Sequence, residues 1–220
     1  MGDKNGTGAM NGSGPKHSLV DPDENELGEA REDVTEEEVA PAPREVAELA
    51  ASCVRFVGAK YKVALDFTPD TLSLVDQYLR DARAEAAARP ETVELVTGAA
   101  GAYLGEVIRL RFGGYWQTGG DHSSWRVLLS RVYLAFNPIG MAREALLLAD
   151  QDGWHAHFET DPGEREIVEA RLRGLPEVDE DEYFAPTTRY DVVNLTYEAL
   201  RAHMQDNGTS DVRFVPDDYR

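Results

Sequence analysis

An α/β or α+β fold, with a small, mainly antiparallel sheet packed by several helices in a single domain, is predicted by three observations. Apolar residues recur at spacings of three and four along several stretches, the period of a one-sided helix. Between residues 113 and 136 the period switches to two, the mark of strands. A leader of about 42 residues, rich in Gly, Asn, Ser, Pro and Glu, offers almost nothing to bury.

The leader, residues 1–42, is expected to be a disordered acidic tail, because a segment with almost no branched apolar or aromatic residue to bury does not offset its ordering entropy. Asp21-Pro22-Asp23-Glu24-Asn25-Glu26 superficially resembles a calcium loop, but Glu26 stands where that loop requires Gly. The folded domain is read as residues 43–206. It opens with a helix from Arg44 to Val57, whose Val46, Leu49, Ala50, Cys53, Val54 and Val57 share one face, and Gly58 is expected to end it. Val63-Ala64-Leu65 reads as extended. Pro69 then starts a second helix, with Leu72, Val75, Tyr78, Leu79 and Ala82 in a stripe.

The third helix, Glu91 to Phe112, is apolar over so wide an arc that it is expected at the centre of the core, ended by Gly113-Gly114. Gly98, Gly101 and Gly105 inside it each cost about 1 kcal/mol relative to Ala. Close approach of a neighbouring backbone through a glycine face would compensate. Glu106 on the same helix requires either a partner, Arg109 or Arg111, or a turn toward solvent.

Strands follow at Tyr115–Gln117, Trp125–Leu129 and Arg131–Phe136, the first two joined as an antiparallel pair by the loop 118–124. Asn137-Pro138 caps a helix over Ile139–Ala149. Trp154–Phe158 fits either a strand or an extension of helix. A polar helix spans Gly163–Arg173, Glu177–Glu182 is a solvated acidic loop, and a last helix, Tyr190–Met204, carries Tyr190, Val193, Tyr197, Leu200 and Met204 on one stripe. Residues 207–220 are expected to be a frayed tail.

Charge narrows the function classes. With 41 acidic against 22 basic residues, the net charge is -19, and the average surface repels phosphate backbones and anionic lipid. Nucleic acid and membranes are therefore not expected as partners, and no apolar leader or membrane-length stretch is read. The single cysteine, Cys53, allows no intrachain disulfide and no multi-cysteine zinc site, and a cytoplasmic location is expected.

Chemistry-bearing motifs are sparse. On a strand, His155 and His157 of His155-Ala156-His157 would share a face, so both imidazoles reach one ion, with Asp121, His122, Asp152 or Glu159 completing the set. Asp121-His122-Ser123-Ser124 holds the residue types of a serine triad but lacks the tight turn and oxyanion hole of one. No Walker lysine, kinase set or HExxH helix occurs, so no catalytic residue and no cofactor are assigned. Tyr115, Trp116, Trp125 and Trp154 are candidate anchors for a protein partner.

Gly101-Ala102-Tyr103-Leu104-Gly105-Glu106 followed by Gly113-Gly114-Tyr115-Trp116, with Leu65–Pro69 upstream and Asn137-Pro138 downstream, resembles a family of small bacterial α/β domains of unknown function. The resemblance covers roughly residues 45–145 and implies a fold but no activity. The expected function is a non-catalytic protein-interaction or regulatory module. Its alternatives are a metal-binding enzyme or sensor using the His-x-His pair, and an immunity-type or antitoxin-like inhibitor of a basic toxin.

Overall fold

The computed structural model describes residues 39–219, all within the compact unit Val34–Arg220; the unit Met1–Asp33, and with it the Asp21–Glu26 stretch, lies outside the described residues. Those residues form an α+β domain. Seven α-helices and four strands follow in the order α1 (Arg44–Tyr61), α2 (Leu72–Ala88), α3 (Val93–Phe112), β1 (Gly114–Gln117), β2 (Arg126–Leu129), β3 (Leu134–Phe136), α4 (Pro138–Leu147), β4 (Glu159–Thr160), α5 (Arg165–Leu172), α6 (Glu180–Tyr183) and α7 (Pro186–Asp206). Among the described residues no helix is long and apolar enough to cross a membrane.

Helix α3 is the axis of the core, buried from Val96 to Arg109 without a break. Its glycines are notches for neighbours. A Cβ on Gly101 would sit 2.4 Å from Cα of Ile139, so the start of α4 lies directly on the α3 backbone. A Cβ on Gly105 would sit 2.2 Å from Cζ2 of Trp116, so the indole of β1 occupies that notch. Gly98 is looser, facing the His122 and Leu49 side chains at 3.4 and 3.5 Å.

Helix α1 passes through Gly58 instead of ending there, and closes where Lys62 adopts a left-handed conformation (φ 61°) and its N–H returns to the Gly58 carbonyl at 3.0 Å. The extra turn seats Tyr61, whose ring packs on the core and whose hydroxyl donates to Asp81 at 2.9 Å. One glycine's helix penalty, about 1 kcal/mol, is smaller than such packing returns.

The sheet has the order β1-β2-β3-β4, antiparallel throughout, with Gly114 opposite Leu129, Val127 opposite Phe136 and Leu134 opposite Thr160. Both faces of its centre are covered, which is why β2 and β3 read as almost unbroken apolar runs. Val127, Leu129, Leu134 and Phe136 join the main core, whereas Leu128 and Ala135 on the other face pack with Tyr219, Tyr133 and Phe214. The alternation is the period-two geometry of a pleated strand.

Two boundaries differ from the sequence expectation. Residues 39–42, read as tail, belong to the body: Val39 forms a parallel bridge with Gly114 on the outer strand, Ala40 gives its carbonyl to Arg109, and Ala42 packs on the core. Residues 207–219 are not frayed. The backbone N–H of Phe214 donates to Ser130 at 2.7 Å, and Tyr219, 2% exposed, is inserted beneath the β2–β3 connection. Its hydroxyl donates to the Leu129 carbonyl at 2.6 Å and accepts the Leu134 N–H at 3.0 Å, a donor it shares with the Val132 carbonyl.

The acidic run Glu177–Glu182 is likewise not all solvated loop. Asp179 caps the single turn of α6, accepting from the Glu182 N–H at 2.9 Å, and Asp181 is held by Arg80 and Arg83 of α2. Helix α7 begins at Pro186, ahead of the expected Tyr190. Its cap comes from another helix: buried Asp76 of α2 accepts from the Thr187 N–H at 3.1 Å and from its hydroxyl at 2.5 Å. Burial nevertheless raises the Asp76 pKa above the ordinary carboxylate value.

Candidate functional site

The four expected aromatic anchors are mostly structural. Trp116 is 9% exposed, and its Nε1–H donates to Oε1 of Glu106 at 2.7 Å; Trp125 is 7% exposed and lies edge-on to His122. Trp154 is half-buried with the Arg143 guanidinium over its ring at 4.7 Å, and Tyr115 is half-buried on β1. Burial leaves little of Trp116 and Trp125 to enter a partner's pocket, whereas Tyr115 and Trp154 keep part of their rings accessible.

The expected metal set is also dispersed. Residues 155–157 are not on a strand: His155 has a φ of 48°, which breaks the alternation that would aim both imidazoles one way, and Ala156 is buried between two exposed histidines. The Asn137 N–H donates to the His155 carbonyl at 2.9 Å, so this residue's fixed contact is its backbone. Asp121 and His122 lie on the β1–β2 connection. There Asp121 caps a short helical turn by accepting from the Ser123 N–H at 3.1 Å, and it also takes the Ser123 hydroxyl. These bonds lower its pKa. Ser123 thus serves Asp121 rather than His122, and no nucleophile is activated.

One of the expected ligands does join a chemically coherent group. His157 lies with Glu144 and Asp150, and their ligand atoms are all within 4.8 Å of one another. Glu144, 1% exposed on the inner face of α4, is ion-paired to Arg189 of α7 at 2.9 Å and accepts the Gln151 N–H at 3.3 Å. Burial raises its pKa despite the nearby guanidinium. Arg189 is itself buried, with its guanidinium 4.6 Å from the Tyr183 ring and 5.4 Å from Phe184.

Arg189 and His157 border a groove of about 1150 Å³ formed by α5, the segment 175–178, α6, the first half of α7 and residues 156–160. Val168, Leu172, Val192 and Leu195 supply its apolar lining, extended outward by Leu175, Val178 and Tyr183, which are 39%, 38% and 45% exposed. Exposed carboxylates of Glu169, Glu177, Glu182 and Asp191 stand around this lining. Among the described residues none of the four is in an ion pair. The sequence carried a faint signal for the groove: helix α5 is amphipathic but short and faces a run of exposed apolar residues.

Fold and groove together define a helix-rich α+β domain whose concave surface is apolar inside and acidic at its border. Neither a protein-family model, nor a curated protein, nor a solved structure matches the chain.

Proposed function

We propose that the protein is a non-catalytic binding module that docks a basic, amphipathic segment of a partner protein in the groove between α5 and α7. The observation that carries this reading is the pairing of an apolar lining with four carboxylates that, among the described residues, lack a cation of their own. Of the two arginines lining the groove, Arg189 is committed to Glu144, which leaves Arg165 against four acidic groups. The volume exceeds the roughly 300–1,000 Å³ of small-molecule pockets and suits a helix laid in a groove. Tyr183 takes the anchor role first read for the tryptophans, because it is large, amphipathic and accessible. The net charge of -19 favours encounter with a cationic segment over nucleic acid. The reading sets the protein in the cytoplasm, where a buried thiol such as Cys53 stays reduced.

Fluorescence anisotropy with two labelled helical peptides, one built of Leu and Lys and its counterpart of Leu and Glu, tests the reading. The Lys peptide is expected to bind and to weaken at least tenfold in Leu175→Asp and in the double variant Glu177→Lys, Glu182→Lys. Equal binding of both peptides, or indifference to the double variant, removes its basis.

A further inference from the structure

We propose that Glu144, Asp150 and His157 form a binding site for a divalent transition-metal ion of the zinc class. The three side chains come from different local structures. Glu144 is on the rigid α4, Asp150 is in the turn after it, where Leu148 takes a left-handed conformation (φ 52°), and His157 is on the segment that runs toward β4. One imidazole nitrogen and two carboxylate oxygens are the donor types zinc accepts, and three protein ligands leave a position for water. Their separation, within 4.8 Å, needs to shrink by up to about 1.4 Å for tetrahedral bonds of about 2.0–2.2 Å. Asp150 and His157 are exposed and free to swing by that amount, while Glu144 stays fixed.

The state of Glu144 is the second, separate observation. A carboxylate 1% exposed needs a partner on each oxygen, and Glu144 has one on each: Oε2 takes Arg189 and Oε1 takes the Gln151 N–H at 3.3 Å, at the long end of the N–H···O range. Each oxygen keeps a further acceptor lone pair, on a side chain whose ligand atom lies within 4.8 Å of those of Asp150 and His157. Arg189 and Gln151 would then act as outer-shell groups that hold the ligand's orientation. With two carboxylates against one guanidinium, the site keeps a net charge of -1 toward a dication. Asp121, His122, Asp152, His155 and Glu159, the other expected ligands, are not in this group.

Titration calorimetry of the full chain with zinc chloride, paired with thermal unfolding, tests the site. The expected results are a saturable event near one equivalent, a higher melting temperature with zinc, and affinity lower by at least tenfold in His157→Ala and in Asp150→Ala. Glu144→Gln also breaks a buried ion pair, so the two exposed positions, whose loss leaves the fold intact, decide the matter. His122→Ala serves as the control and is expected to bind as the unaltered protein does. Absence of saturable zinc binding, undiminished binding in both His157→Ala and Asp150→Ala, or loss of binding in His122→Ala instead, overturns the proposal.

Discussion

The indole N–H of Trp116 donates to the carboxylate of Glu106 at 2.7 Å while its ring fills the notch over Gly105, the residue just before Glu106 on α3. Glu106 is simultaneously gripped by Arg109, through Nε at 2.8 Å and Nη2 at 2.7 Å. A carboxylate 7% exposed is thereby given three charge-assisted or indole donors, and β1 is locked onto α3 in one register.

Removal of Arg109 leaves that carboxylate buried with one donor. Arg109→Met is expected to cost about 3–5 kcal/mol, the usual penalty for orphaning a buried charge. Trp116→Phe removes one donor together with the indole edge that fills the Gly105 notch, but orphans no charge, and is expected to cost the less of the two, about 1–3 kcal/mol. Urea unfolding of the two variants checks the order.

The three α3 glycines are expected to differ. Gly101→Ala presses a methyl group into the backbone of Ile139, which cannot swing aside, and should destabilise by about 2 kcal/mol or more. Gly105→Ala meets the Trp116 ring and should also destabilise. Gly98→Ala meets only side chains at ordinary contact distance, so the helix preference of Ala, about 1 kcal/mol, leaves it neutral or stabilising. Denaturation midpoints of the series distinguish a notch from a tolerated gap.

Tyr219→Phe is expected to lower stability by about 1 kcal/mol, because the buried Leu129 carbonyl loses the hydroxyl's bond while the Leu134 N–H keeps the Val132 carbonyl at 3.0 Å. Calorimetric melting measures it, and an unchanged transition would show that the hydroxyl's bonds carry no weight.

Arg83 first, and then Arg80, hold the Asp181 carboxyl below the ordinary carboxylate range. A folded-state pKa depressed in this way adds stability above the unfolded value, near 3.9, and the gain disappears as pH falls through the folded value. Because the Asp181 side chain is 36% exposed, Asp181→Asn should cost less than about 1 kcal/mol at neutral pH. The gap from the unaltered protein should close in acid, as urea midpoints at about pH 7 and about pH 2 would record.

Cys53 is fully buried, and desolvation pushes its thiol up to about 12. An aromatic disulfide reagent is expected to leave it untouched in the native protein and to titrate one thiol in denaturant. Rapid native labelling would mean that α1 opens readily.

Where a residue's environment is set by its near neighbours, the sequence is readable. Three glycines in a helix have an energetic penalty that only close packing relieves, and both Gly101 and Gly105 are packed that way. Asn137 before Pro138 caps α4 as its type dictates, accepting from Ile139 and Gly140 at 2.9 and 3.1 Å. Glu106 and Arg109 are three residues apart on one helix, so their pairing is local arithmetic. Long-range partners leave no such trace. Nothing near Glu144 announces Arg189, 45 residues on, and nothing near Tyr219 announces carbonyls and amides 85 to 90 positions earlier. The histidine pair was misread for a different reason: the two-residue period applies only to extended backbone, and the left-handed turn at His155 cancels it.

The placement of Tyr219 makes a segment distant in sequence part of the sheet's own seam. Its hydroxyl meets the Leu129 carbonyl and the Leu134 N–H at the joint of the two inner strands while its ring covers Leu128 and Ala135, so cutting away residues 207–219 would bare that apolar face to water.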